Sequence, residues 1–278
     1  MNALDRVNAP VKIGVFDSGF GGLTVLRALL PRILGAEFFY LGDTARLPYG
    51  SKSQATVTRY AVESAQLLES WGAQYLVIAC NTASALALDA IRAAARVPVL
   101  GVIETGADSA AELSHSRDVL VLATAATVRS HAYARACAAR EMRSIEKACP
   151  LLVPLIEEGW TDRDVTRQVL RIYLGEALAE AQGRGYALDT VLLGCTHYPL
   201  LRSLLQEALP ADIAILDSAE ATAKRVQHDL KIDAEHPANP SQPRTHFFAT
   251  DSIDKFRTLG SRFLGQPIDS VELIDLGG

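Results

Sequence analysis

The sequence predicts an α/β protein made of two similar doubly wound units, their mostly parallel sheets facing each other across a cleft. Three observations predict it. Short β-branched runs alternate with helical periodicities along the chain. Those runs are apolar at consecutive positions, as strands buried on both faces of a parallel sheet must be. The alternation then starts afresh near residue 118.

In the first half, "KIGVF" (12–16), "EFFYL" (37–41), "YLVIA" (75–79) and "VPVLGV" (97–102) read as strands. The helical stretches between them are "LTVLRALLPRIL", "SQATVTRYAVESAQLLESW" and "SALALDAIRAAA". In the second half "DVLVLAT" (118–124) is a strand, "VRSHAYARACAAR" a helix and "PLLVPLI" a strand or extended piece. The long helix "DVTRQVLRIYLGEALAEAQ", the strand "TVLLGC", the helix "PLLRSLLQEAL" and the strand "IAILD" (213–217) follow, with a further helix after them. The Pro-containing "DAEHPANPSQPRT" (233–245) reads as an exposed loop before the strand "HFFAT". A last helix, "SIDKFRTLGSRFL", precedes a terminal strand near "SVELID".

Composition narrows the function. A net charge of −5 without clustered Lys/Arg argues against nucleic acid as a partner. "MNALDRVNAP" has neither the basic nor the apolar region of a secretory leader, and no run approaches the length of a membrane span. The four cysteines, Cys80, Cys137, Cys149 and Cys195, have no framework-like spacing. Reduced thiols in a cytoplasm, with no membrane association, are the expectation.

Two of the cysteines share a setting. Cys80 ends a strand, with Asn81 and Thr82 placed to cap the helix that follows. Cys195 ends another, with Thr196 as a cap and Pro199 suited to a first helical turn. A thiol beside a helix start meets unpaired N–H groups and the positive end of the dipole, which favour thiolate. The spacing also matches: Asp17 to Cys80 is 63 positions, and Thr124 to Cys195 is 71. If the carboxyl ends of the two sheets face each other, one cleft carries a thiol on either wall. Cys137 and Cys149 lack this setting and read as buried hydrophobes.

Other residues gather around this pair. Asp17 ends the first strand in "VFDSGFGGLT", and His197 stands two residues after Cys195. Glu157 closes an apolar stretch, and Tyr49 with Gly50 lies in the loop "LPYGSKS". A dinucleotide site competes for Gly19-x-Gly21, with Asp43 at the end of the second strand. Its third glycine position, however, is Thr24, and Asp17 would set a carboxylate beside a pyrophosphate. Two facing thiols can remove a proton from a carbon acid on one face and return one on the other, which inverts a stereocentre. Pyridoxal would need a Schiff-base lysine. None of the six lysines ends a strand in the cleft, so that cofactor is not expected.

The motifs "FDSGFGGLTVLR", "YLGDTARLPYGSKS", "IACNTASALAL", "LATAATVRSHAY", "IEEGW" and "LLGCTHYPLL" together resemble the cofactor-independent glutamate racemase family. The resemblance runs from residue 13 to about 202 and is loose in the last 60 or so. It implies an isomerase that interconverts L- and D-glutamate for peptidoglycan synthesis, without metal. Cys80 would abstract the α-proton of D-glutamate, assisted by Asp17. Cys195 would abstract that of L-glutamate, assisted by Glu157 and His197. Asp17, Ser18, Tyr49, Gly50, Asn81, Thr82, Thr124, Thr127, Thr196 and His197 would bind the substrate. The resemblance also implies a discontinuous first domain (1–103 with 214–278), a second domain (104–213) and a homodimer. Three rivals differ in kind: an aspartate racemase on the same scaffold, a metal-dependent hydrolase using Cys80, Cys195, His197 and Asp17 as ligands, and a non-catalytic amino-acid-binding module.

Overall fold

The computed structural model describes residues 10–233 and 241–276. Most of the opening decapeptide and residues 234–240 of the Pro-containing stretch lie outside them. The first run of elements is β1 (Lys12–Asp17), α1 (Leu23–Leu29), β2 (Glu37–Gly42), α2 (Gln54–Ser70), β3 (Tyr75–Ile78), α3 (Asn81–Ala94), β4 (Val99–Gly101) and α4 (Val102–Leu113). The second is β5 (Asp118–Ala123), α5 (Ala125–Ser130), α6 (Ala132–Ala138), β6 (Arg143–Ala148), α7 (Leu152–Glu157), α8 (Asp164–Gly183), β7 (Thr190–Gly194), α9 (Arg202–Ala208), β8 (Ala214–Asp217) and α10 (Ala219–Asp229). The chain closes with β9 (Arg244–Ala249), α11 (Ile253–Leu264) and β10 (Glu272–Leu273).

Two sheets result, with every strand pair parallel. The first runs β10-β9-β2-β1-β3-β4 and the second β6-β5-β7-β8. The orders β2-β1-β3-β4 and β6-β5-β7-β8 are one topology used twice. In each, the direction in which strands are added to the sheet reverses between the first strand and the third, and ligands of open α/β sheets bind at that switch point, outside the carboxyl ends. Asp17 ends β1 and Cys80 stands just past β3; Thr124 follows β5 and Cys195 follows β7. The repeated topology therefore delivers one cysteine to each crevice. β3, β5 and β7 are buried along their whole length, which is why they read as unbroken apolar runs.

Some elements differ from the sequence prediction. "PLLVPLI" is not extended: Leu152–Glu157 is helical, with Leu152 and Ile156 buried one turn apart and Pro154 in the first turn, where a missing N–H costs little. The partner of β5 is instead the charged "RSIEKA" of β6, an edge strand on which Arg143 is exposed and Ser144, Glu146 and Lys147 are part-buried. "VRSHAYARACAAR" divides into α5 and α6 at His131, whose φ of 53° is left-handed. α1 stops before Pro31, so "LTVLRALLPRIL" is helical only in part. β8, placed with the first unit by a boundary at 213/214, pairs with β7 in the second sheet, as β4 pairs with β3 in the first.

The C-terminal segment returns to the first sheet. β9 pairs with β2 from Glu37↔Arg244 to Gly42↔Ala249. α11 buries Phe256, Leu259, Phe263 and Leu264. Phe256 meets Phe20 at 5.7 Å between centroids and Tyr40 at 5.9 Å, which seats α11 beside the glycine-rich turn after β1. Among the described residues no helix is long and apolar enough to cross a membrane.

The fit of α2 on the first sheet depends on the absence of a side chain at Gly14 in β1. A Cβ there would lie 2.7 Å from Leu76 Cδ2 and 3.0 Å from Leu68 Cβ. Gly14→Ala is expected to destabilise the protein by about 1–3 kcal/mol through overpacking, read as a lower urea midpoint with an unchanged m-value.

Candidate active site

Cys80 leaves β3 in an extended conformation (φ −66°, ψ 118°) and is itself the N-cap of α3, its Sγ accepting from the Ala83 N–H at 3.4 Å. Asn81 and Thr82, predicted as caps, instead occupy the first turn of that helix. Their side chains are thereby free to reach the second unit. Asn81 Oδ1 accepts from the Tyr133 hydroxyl at 2.5 Å. The Thr82 hydroxyl lies 3.0 Å from that of Thr124 and 3.3 Å from that of Thr127, and Thr124 and Thr127 are 3.0 Å apart. On the other side of the thiol, Ser18 Oγ lies 3.4 Å from Cys80 Sγ.

Asp17 is fully buried behind this thiol. Its Oδ2 accepts from the Gly19 N–H at 2.9 Å. Burial raises its carboxyl above the usual carboxylate range, against the opposing effects of the His197 charge, the Gly22 and Gly19 N–H groups and the Thr196 hydroxyl. Burial, reinforced by the Asp17 charge, pushes the Cys80 thiol up to about 12. The expected thiolate is therefore overturned at Cys80. Hydrogen bonds from Ser18 and from the helix end lower the pKa, but desolvation and a buried carboxylate outweigh them.

Cys195 follows β7 and precedes a short 3₁₀ turn, Tyr198–Leu201, with Pro199 in its first positions. Thr196 does not cap this turn; its hydroxyl donates to Asp17 Oδ1 at 3.5 Å, linking the two thiol neighbourhoods. His197 Nδ1 lies 4.0 Å from Cys195 Sγ, and Nε2 lies 3.3 Å from Glu157 Oε1 at the end of α7. Glu157 Oε2 in turn accepts from Lys255 Nζ at 3.2 Å. The His197 ring stands edge-on to Phe263 of α11, 5.1 Å between centroids. Burial opposes an imidazolium here, yet the hydrogen bonds and charges of Cys195 and Glu157 outweigh it, and the His197 pKa is raised to about 10. Burial likewise pushes Glu157 up, but His197 and then Lys255 hold its carboxyl below the ordinary 4.5.

Both thiols line one cavity of about 770 Å³, measured out to its open mouth. Ser18, Tyr49, Gly50, Asn81, Thr82, Thr124, Glu157, Thr196 and His197 line it as well. Asp17 and Thr127 are not in the wall but stand behind it, bonded to Thr196 and to Thr82 and Thr124. No Lys or Arg is among the lining residues. The cavity therefore offers an anion hydroxyls and backbone N–H groups rather than a full positive charge. Cys149, read from the sequence as merely structural, also lines the wall beside Pro150, Val153 and Pro154. The Tyr49 hydroxyl is held by Asp43, which also binds Arg46 and Thr250, so the Tyr49 ring is the part left for a ligand. That engagement leaves Asp43 no part in a dinucleotide site. Among the described residues no group of three or more His, Cys, Asp or Glu side chains is arranged to hold a metal ion.

The glycine-rich turn has a different use from phosphate binding. A Cβ on Gly21 would sit 2.2 Å from Thr196 Oγ1 and 2.6 Å from His197 Nδ1. Bare backbone here lets the Cys195 turn of one unit lie against the Asp17 turn of the other.

A family profile described as Asp/Glu/Hydantoin racemase matches residues 25–226. A glutamate racemase of Koribacter versatilis is 52% identical over 287 residues, spanning 96% of this chain and 98% of its own. The structure of glutamate racemase isoform RacE1 from Bacillus anthracis superposes with a TM-score of 0.86 at 34% identity, covering 96% of this chain and 98% of that one. That of the Francisella tularensis glutamate racemase, solved with D-glutamate, gives 0.84 at 33% identity over 97% and 98%.

Two outcomes follow from this geometry. Gly21→Ala is expected to lower activity by about 100-fold by displacing the His197 turn, with an unchanged far-UV circular dichroism spectrum. The raised His197 pKa means the folded state holds a proton that the unfolded chain, with an ordinary value of 6.5, releases earlier. Its stabilisation is complete below about pH 6.5 and is lost as pH rises through about 10. Between pH 6.5 and the ordinary thiol value of 9.0, urea unfolding should show stability falling by up to about 1.4 kcal/mol per pH unit, and His197→Asn should flatten that slope.

Proposed function

The chain belongs to the Asp/Glu/hydantoin racemase family, and from that premise we propose that it interconverts L- and D-glutamate by proton transfer between two thiols. The observation that carries the reading is the pairing of Cys80 and Cys195 in one cavity, each from the same point of a repeated topology and each with its own acid–base neighbour. The relatives and structures that match over nearly full length are glutamate racemases, and D-glutamate is a peptidoglycan precursor.

L-Glutamate lies between the two sulfurs. Cys195, acting as the base beside the His197 imidazolium, takes the α-proton from one face, and Cys80, held as a thiol by burial and Asp17, gives its proton to the opposite face. D-Glutamate then leaves Cys195 as thiol and Cys80 as thiolate. That new charge arises beside Asp17, whose carboxyl burial holds above the usual carboxylate range. Running the steps backwards returns D-glutamate to L-glutamate. The hydroxyls of Ser18, Thr82, Thr124 and Thr196 and the backbone at Gly50 and Asn81 hold the substrate carboxylates, Thr127 fixes Thr82 and Thr124, and Tyr49 closes the wall with its ring.

The reading extends to a homodimer working in the cytoplasm. It also divides the chain into a first unit completed by the C-terminal segment and a second unit between its parts. Val165 and Ile172 on α8 are exposed apolar side chains that a second subunit would cover, and sedimentation velocity reads the mass.

The test is NMR in D₂O with L-glutamate, D-glutamate and aspartate supplied separately. Deuterium should enter Cα of glutamate together with the opposite enantiomer. Cys80→Ser and Cys195→Ser should each lose about 100- to 10,000-fold in racemisation. Exchange with aspartate alone would move the assignment to the sister activity. Binding of glutamate with no exchange would leave an amino-acid-binding module.

A further inference from the structure

The relay behind Cys195 does not end at Glu157. The two oxygens of that carboxylate face different partners: Oε1 meets His197 Nε2 at 3.3 Å and Oε2 meets Lys255 Nζ at 3.2 Å. Glu157 closes α7, among the elements of the second sheet, whereas Lys255 stands on α11, in the segment that completes the first. The ion pair thus ties the two units together directly behind one thiol. Lys255 lies 98 positions from Glu157 and outside residues 25–226 matched by the family profile.

We propose that Lys255 is a positioning residue for racemisation: by holding Oε2 it turns Oε1 onto His197 and so keeps the imidazole aligned on Cys195. The proposal rests on the reading of Cys195 as a proton-transferring thiol.

The surroundings show why Glu157 needs a second partner. Its side chain is 11% exposed, and on its outer side lies an open groove lined by Glu158, Asp254, Lys255, Thr258 and Arg262. A carboxylate there borders the solvent of the groove, and a single bond to a histidine leaves it free to rotate away. Lys255 is placed to prevent this. Its Nζ also lies 5.8 Å from the centre of the Phe20 ring, and Phe20 packs at a tilt against Phe256 of the same helix, so these rings flank the ammonium on one side.

Lys255 also acts on His197 in a second way, of opposite sign. As a bare cation nearby it disfavours the imidazolium. Through Glu157 it favours the imidazolium, because it keeps the carboxylate ionised and in place. The other groups charged or titratable around His197 are Cys195 and Asp17, and around Lys255 they are Glu158, Asp254 and Arg262. The direction in which His197 moves when Lys255 is removed therefore distinguishes the two effects.

The experiment uses full-length protein labelled with ¹⁵N-histidine, the His197 signals being identified by their loss in His197→Asn. In Lys255→Met the His197 titration should move to lower pH by about one unit, and turnover of L-glutamate should fall about 10-fold, a part of what a complete acid–base group contributes. Lys255→Arg should restore both, since a guanidinium reaches the same oxygen. In a Glu157→Gln background, Lys255→Met should have no further effect. A His197 titration that rises or stays put in Lys255→Met, or an equal loss in the Glu157→Gln background, overturns the proposal. The titration is read without substrate, so failure of the proposal is distinct from failure of the wild-type protein to racemise glutamate.

Discussion

Asp17, His197 and Glu157 are ionisable groups set below the surface, where an unpaired charge costs several kcal/mol, and the architecture around the cleft follows from the need to pair them. Asp17 is met by N–H groups of the glycine-rich turn and by the Thr196 hydroxyl from the facing unit. His197 is met by Cys195 and Glu157, and Glu157 by Lys255 from the far end of the chain. Asp17 and Glu157 are each satisfied partly from across the junction. Moving one unit against the other therefore unpairs these groups, which ties the register of the two thiol neighbourhoods to their pairing. The bare backbone at Gly21 is a corollary, because the charges can be shared only if the turns touch.

The repeated strand order supplies the other half of the arrangement. A parallel sheet whose connections reverse between its first and third strands opens a crevice at their carboxyl ends. Using that topology twice presents two crevices, and the hydroxyl cluster of Thr82, Thr124 and Thr127 stitches them together. What differs is the chemistry set into each: a buried carboxylate beside Cys80, and an imidazole with its carboxylate beside Cys195.

Much of this was legible in the sequence because buried parallel strands are apolar at every position, so their ends, and the cysteines standing there, can be located by eye. β6 was not, since an edge strand tolerates the charges of "RSIEKA" and carries no apolar run. α7 is not legible as a helix, since six residues around Pro154 are too few to show a helical repeat. The bond from Tyr49 to Asp43 and the reach of Lys255 to Glu157 are tertiary facts with no local signature. The acidity of Cys80 was misjudged for a physical reason: a helix end lowers a thiol pKa, but only the fold reveals that the same thiol is buried beside a carboxylate.

The unequal partners of the two thiols have a kinetic consequence. Free enantiomers have equal free energy, so their equilibrium constant is unity whatever protein acts on them. The ratio kcat/KM must then be identical in the two directions, however different the groups flanking Cys80 and Cys195. Asymmetry in the acid–base equipment can express itself only as a trade between kcat and KM. One enantiomer saturates the site at lower concentration and turns over more slowly, and the other does the reverse. A scaffold that is nearly symmetric in topology but not in charge thus sets which form of the substrate the cleft holds longer, while its efficiency toward the two forms at low concentration stays equal.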